Sequence, residues 1–154
     1  MSAVLNNQTR VASGRVLGID AGERRVGLAL SDATRLLATP FGVLHRTAGL
    51  APVFDAIADL VQREDVTEVV VGLPLNADGS AGRQAKRAQD FARVARRVVG
   101  VPVTLWDERL STRAAEAIVR AQGQSVRQRK DMDAVAAAVI LQDYLDHLRR
   151  SAAP

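Results

Sequence analysis

The sequence predicts an α/β protein in which a mixed sheet carries helices on both faces. Three observations lead there. A close-spaced series of short Val-, Leu- and Ile-rich runs opens the chain, segments of helical periodicity then alternate with apolar strands, and the connections carry the Gly, Asn, Asp and Ser that end strands and open helices.

Met1 to Ser13 is polar and aperiodic and reads as a flexible extension of about the first 14 residues. A single domain is expected over 15–150, with 151–154 as a tail. Val16 to Asp20 and Val26 to Leu30 are apolar runs separated by Ala-Gly-Glu-Arg, which predicts two paired strands around a tight turn. A third strand at Leu37 to Leu44 completes an antiparallel meander. From Leu50 to Gln62 the apolar residues take helical spacing, Glu68 to Leu73 is a buried strand, and Gly82 to Val98 is again helical. Val101 to Trp106 is the fifth strand, followed by a helix over Arg113 to Ala121, a basic connection from Gly123 to Lys130, and a last helix from Met132 to Leu148. Strands that alternate with helices imply parallel crossovers, and in such sheets functional groups gather where strands end.

The 154 residues are enough for one core without staples. Cysteine is absent and the only histidines are His45 and His147, which argues against a zinc centre. Oxygen ligands from Asp and Glu suit magnesium or manganese instead. Aromatic residues make up 3%, too few for a base-stacking surface, so any nucleic acid would be held through its phosphates. The net charge is +4, and only Lys86 and Lys130 among the 21 basic residues are lysines, so the positive charge is nearly all guanidinium. No apolar run approaches a membrane span and no signal-peptide core precedes Gly14, from which a cytoplasmic protein is expected.

Three acidic residues interrupt otherwise apolar elements. Asp20 ends the first strand and precedes Gly22, a residue free to take positive φ in the turn. Glu108 lies where the fifth strand meets Asp107-Glu-Arg-Leu-Ser-Thr, and Ser111 or Thr112 could cap the following helix. Asp133 shares a helical stripe with Ala137, Leu141, Tyr144, Leu145 and Leu148 and so faces inward, whereas Asp143 and Asp146 fall off that stripe and are expected in solvent. The bland alternatives are a turn residue for Asp20, a solvated loop for Glu108 and a dipole-favoured first-turn acid for Asp133. Alanines 134, 136, 137 and 138 leave the last helix slender enough to lie close to the sheet. Three carboxylates converging on one cleft would repel one another and need divalent cations to stay ionised, the pattern of a metal-dependent nuclease.

A second feature is the strand Val69-Val-Val-Gly-Leu-Pro-Leu and the loop Asn76-Ala-Asp-Gly-Ser after it. The helix start that follows could hold a phosphate, with Asn76 as a ligand and Arg83, Lys86 and Arg87 nearby. The competing reading is an ordinary strand-to-helix connection with Ser80 as an N-cap.

Gly18-Ile-Asp-Ala-Gly-Glu-Arg-Arg-Val-Gly, Val71-Gly-Leu-Pro-Leu-Asn-Ala-Asp-Gly-Ser, Asp107-Glu-Arg-Leu-Ser-Thr and Asp133-Ala-Val-Ala-Ala-Ala-Val-Ile-Leu, in this order, resemble the YqgF (RuvX) family of pre-16S rRNA nucleases and Holliday-junction-resolvase-like proteins. The resemblance spans roughly Arg15 to Leu148. It implies an RNase H-like fold with a five-stranded mixed sheet, an acidic metal-binding triad at Asp20, Glu108 and Asp133, and a role in maturing the 5′ end of 16S rRNA. The chain departs from the family in Arg24, where the family often has Lys, in Trp106 before Asp-Glu-Arg, and in its first residues.

The expected activity is phosphodiester hydrolysis with Mg²⁺ or Mn²⁺ by two ions, Asp20 bridging them and Glu108 and Asp133 completing their shells. Arg24, Arg25 and Arg109 would steer or clamp the phosphate backbone, with Asn76, Arg83 and Lys86 as further contacts and Gly22, Asp107, Ser111 and Thr112 in support. Lys130, Arg127 and Arg129 could extend that surface. Three alternatives stay open: a resolvase of branched DNA, which needs a homodimer to present two sites; a non-catalytic RNA-binding factor; and, far behind, an actin-like ATPase, for which one domain of this length is too short.

Overall fold

The computed structural model describes residues 13–122 and 129–152. The expected extension over Met1 to Ser13 lies almost wholly outside the described residues, as do the connection near Arg127 and the side chains of Arg129 and Lys130. Five strands, β1 (Arg15–Ala21), β2 (Arg25–Ser31), β3 (Ala38–His45), β4 (Val66–Leu73) and β5 (Val103–Asp107), form one sheet. Four helices accompany them: α1 (Leu50–Arg63), α2 (Arg83–Val98), α3 (Arg113–Arg120) and α4 (Arg129–Ala152). The sheet order is β3-β2-β1-β4-β5, with β1, β2 and β3 antiparallel and β1, β4 and β5 parallel. This is the mixed sheet that the sequence pattern predicts. The last helix runs through Ser151 and Ala152, two residues into the expected tail. Among the described residues no helix is long and apolar enough to cross a membrane.

Alternation along the strands divides the apolar residues between two cores. Leu17, Ile19, Val69 and Val71 face one way and pack with Val53, Ile57, Phe91 and Ala92 of α1 and α2. Val16, Ala29 and Val70 face the other way and pack with Val119 of α3 and with Ala137, Ala138, Leu141, Tyr144 and Leu145 of α4. Asp20 is two and four residues from Gly18 and Val16, so it belongs to the α3–α4 face.

That face is kept low by glycine. A Cβ at Gly18 would stand 2.7 Å from Leu141 Cβ, and one at Gly27 would overlap the Asp133 carbonyl. The first turns of α4 therefore lie directly on β1 and β2, which the alanines of the helix also permit.

Two sequence expectations about polar residues are corrected. Asp143 is 1% exposed and accepts a hydrogen bond from Trp106 Nε1 at 3.0 Å, and Asp146 is half-buried and accepts from Gln142. The residues from Ile140 to Leu145 are buried all round, because α4 packs at once on the sheet and against α3. A single apolar stripe does not describe such a helix. The other correction is Ser80, which is not the N-cap of α2; that position is Gly82, with no side-chain cap.

Candidate active site

Asp20 occupies the end of β1 at the edge between antiparallel and parallel halves of the sheet. Its partner on β2 is Gly27, and on β4 the residue after the Ile19–Val71 pair is Gly72. Both neighbours thus lack side chains, and other groups take the space. The Glu108 carboxylate fills the volume that a Cβ at Gly72 would need, and the Asp133 backbone fills that at Gly27. In this way two glycines let acids from the β5 exit and from the start of α4 close in on Asp20 from opposite sides.

Asp20 and Glu108 line one cleft of about 1070 Å³, together with Gly22, Glu23, Ser111 and Glu116 on a polar side. Val119, Met132, Val135, Ala136, Val139 and Ile140 of α3 and α4 form an apolar wall opposite. Glu23, Glu116 and this wall were not legible as site features. The nearest signal is Glu23 within the first turn, and Glu116 is paired with Arg120 at 2.8 Å.

The electrostatics are unbalanced. Burial, and then repulsion by Asp20 and Asp107, raise the Glu108 carboxyl to about 7. Burial first and Asp133 second raise that of Asp20. Each of these charges would be relieved by a cation placed among them.

Asp133 is close enough to act on Asp20 electrostatically, but its carboxylate turns toward Arg25, whose Nε lies 2.7 Å from Oδ2. The angle of that ion pair is poor for a hydrogen bond, so Oδ2 is buried with no well-aligned donor among the described residues. Among the described residues, no three Asp, Glu, His or Cys side chains are gathered tightly enough to hold one cation as they stand. Even so, the donor set fits a hard divalent ion: all three groups offer oxygen, two are held against their own charge, and the third has an oxygen without a hydrogen-bond donor among the described residues. Neither histidine lines the cleft.

The supporting residues are fixed locally. Asp107 Oδ1 accepts from the Arg109 backbone N–H at 2.9 Å, which starts the 3₁₀ turn Glu108–Leu110 and sets the direction of Glu108. Arg109 also holds the Asp107 carboxylate through its guanidinium and reaches the Ala77 carbonyl. Thr112, not Ser111, caps α3, accepting from Ala115 N–H at 3.1 Å. Gly22 does not adopt the positive φ expected of it; a side chain there is excluded because Cβ would stand 2.6 Å from the Arg25 carbonyl.

The expected phosphate-binding residues are not all alike. Arg25 and Arg109 already carry acidic partners, Asp133 and Asp107. Asn76 lies outside the cleft and donates to Ser80 Oγ, closing its own loop. Arg24, Arg83 and Lys86 form no salt bridge among the described residues, and Arg83 and Lys86 line a second groove beside α2.

Comparison with known proteins agrees with this architecture. A family model described as RuvX, Holliday junction resolvase, matches residues 14–147. A protein of Anaeromyxobacter sp. (strain Fw109-5) named "Putative pre-16S rRNA nuclease" is 51% identical over 136 residues, covering 86% of this chain and 96% of the relative. One of the same name from Paracoccus denitrificans is 42% identical, covering 89% of this chain and 87% of its own. Among solved structures, Thermus thermophilus RuvC in complex with a Holliday junction substrate superposes with a TM-score of 0.58 at 17% identity, covering 87% of this chain and 96% of RuvC. The yeast mitochondrial Holliday junction resolvase Ydc2 follows with a TM-score of 0.53 at 12% identity, covering 97% and 89%. The sheet and helices are those of the RNase H-like resolvases, and the chain belongs to the RuvX family.

Proposed function

We propose that the protein is a metal-dependent nuclease that hydrolyses phosphodiester bonds and acts in the cytoplasm on the 5′ end of pre-16S rRNA. The names of its relatives support the substrate. The observation that carries the chemistry is the pair Asp20 and Glu108, two carboxylates at the ends of β1 and β5 that meet over Gly72 of the intervening β4, both held above their ordinary protonation range in a cleft that opens to solvent. Carboxylates placed for stability are given partners; among the described residues neither member of this pair is in a salt bridge.

Asp20, Glu108 and Asp133 are the groups that would hold Mg²⁺ or Mn²⁺ for hydrolysis of the two-metal type. A bound cation supplies Lewis acidity toward the phosphodiester and the attacking water, and hydrolysis of this type leaves a 5′-phosphate and a 3′-hydroxyl. The chain's own residues orient and exclude. The Asp107–Arg109 clamp aims Glu108, Arg25 holds Asp133 in readiness, and Arg24, beside Glu23 in the β1–β2 turn, would meet the backbone of the strand. The apolar wall of α3 and α4 keeps bulk water from one side of the reacting phosphate.

The description of the matching family model favours one second reading, cleavage of four-way DNA junctions, for which a homodimer would have to present two sites. Incubating the protein with Mn²⁺ or Mg²⁺ and end-labelled precursor rRNA, single-stranded RNA and a four-way junction separates the readings, with Asp20→Asn as control. RNA cleavage by the native chain alone supports the rRNA nuclease. Paired symmetric cuts in the junction support the resolvase, and an inert protein with every metal refutes both in favour of a binding factor.

A further inference from the structure

On the far side of the β1–β2 turn from the acidic cleft lies a groove of about 690 Å³ between α1 and α2. Four cations stand on its walls: Arg46, Arg83, Lys86 and Arg87. None of the four forms a salt bridge among the described residues, and of the two acids that line the groove Asp90 is bound to Arg93 at 3.0 Å while Glu23 stands at the β1–β2 turn. Arg46 is fastened to the turn itself, donating to the Gly22 carbonyl at 2.6 Å.

The placement of these charges works against the helix that bears them. Arg83, Lys86 and Arg87 stand three and four residues apart in the opening turns of α2, where like charges repel. A helix start favours anions, yet the first turn of α2 contains no acid. An anion in the groove relieves both costs. The groove is also continuous with the active cleft, because Glu23 and Arg87 line both. Its floor offers little to a base, since Phe54 and Phe91 are about 95% buried and packed against each other at a tilt with centroids 4.7 Å apart.

We propose that this groove seats the phosphodiester backbone of the substrate strand as it leaves the acidic cleft across the β1–β2 turn. The inference rests on the nuclease reading and extends it. The strand is held on both sides of Glu23, at the scissile phosphate by the acidic centre and further along by Arg46, Arg83, Lys86 and Arg87. Contacts of this kind position a strand without reading its sequence. Substrates too short to reach α2 lose them.

The test is binding of fluorescein-labelled oligouridylates in EDTA, which prevents cleavage, at lengths of about 4 and about 16 nucleotides, the range that single-strand grooves span. Arg83→Glu/Lys86→Glu is compared with Arg97→Glu/Arg150→Glu, which makes the same change in net charge at exposed positions away from the groove. The groove variant is expected to weaken the longer strand about tenfold relative to the control variant and to lower its salt slope by about 1.4, two phosphates' worth for a single strand. Equal weakening by both variants, or an unchanged salt slope, overturns the proposal. Cleavage of the same longer strand by the native chain with Mn²⁺ reads the nuclease activity separately. An inert protein whose binding still depends on Arg83 and Lys86 thus refutes the nuclease and leaves the groove standing.

Discussion

Glu68 and Glu108 are carboxylates on the same face of the sheet, Glu68 on β4 and Glu108 reaching over Gly72, four positions further along that strand. At the Glu68 end every oxygen is matched. Arg35 is 3.0 Å away, Thr104 donates at 3.2 Å and the Tyr144 hydroxyl donates as well, while Arg35 also binds the Gly14 carbonyl and Thr67 Oγ1. At the other end, burial and neighbouring acids push Glu108 and Asp20 up, and Arg25 is spent on Asp133. One end of the sheet is assembled for stability, and the other carries strain that a ligand would remove.

The largest contrast is expected from Asp20→Asn against Arg35→Ala. Removing the carboxylate at Asp20 should lower the cleavage rate by roughly 10⁴-fold, the scale on which single members of a catalytic group act. The same change takes away a repulsion, so the melting temperature in EDTA should hold or rise. Arg35→Ala should do the reverse, because it takes the cation from a half-buried Glu68, at a cost of about 3 kcal/mol in denaturant titration. A protein destabilised by Asp20→Asn and indifferent to Arg35→Ala would break the comparison.

How far each end was legible follows from where its partners lie in the chain. Strand and helix periods are local, so β1 to β5 and α1 to α4 could be read to within a few residues of their ends. The inward direction of Asp133 could be read too, since its neighbours sit three and four positions away. What could not be read were partners brought in by the sheet. Nothing near Asp143 announces Trp106, and nothing near Glu68 announces Arg35, 33 residues earlier. The glycines on either side of Asp20 were visible as residues, but their purpose depends on register: Gly27 faces Asp20 only because β1 and β2 pair as they do. In the same way Arg25 and Arg109 looked free for phosphate until their acids were placed beside them.

Asp143 provides an intermediate effect. Its Oδ2 accepts from the indole of Trp106, two residues before Glu108, and so ties α4 to the end of β5. Asp143→Leu should leave that N–H without an acceptor and cost about 1–3 kcal/mol. Asp143→Asn keeps an acceptor and removes a buried charge whose Oδ1 has no partner among the described residues, so it should be neutral or stabilising. Trp106 is the only tryptophan in the chain, and its emission reports the change directly. A red shift in Asp143→Leu but not in Asp143→Asn is the expected signature; identical spectra for both would show that the bond does not hold the strand.

The smallest effect is on pH, and its sign tests the acidic end of the sheet. Folding lifts Glu108 from 4.5 to about 7, so the folded protein holds this proton more tightly than the unfolded chain. A group of this kind contributes stability that is complete below pH 4.5 and is lost as pH rises through 7. In EDTA the melting temperature should therefore fall between these values by an amount that Glu108→Gln abolishes, with Asp20 contributing in the same direction. Added Mn²⁺ should reverse the trend, because the proton competes with the cation for the same oxygens and the stabilisation by metal grows as the carboxyl loses it. Thermal melts at several pH values, with and without metal, read both slopes. A melting temperature in EDTA that climbed with pH through this window, and did so equally in Glu108→Gln, would mean that the acids of the cleft are not held against their charge, and the contrast with Glu68 would lose its physical basis.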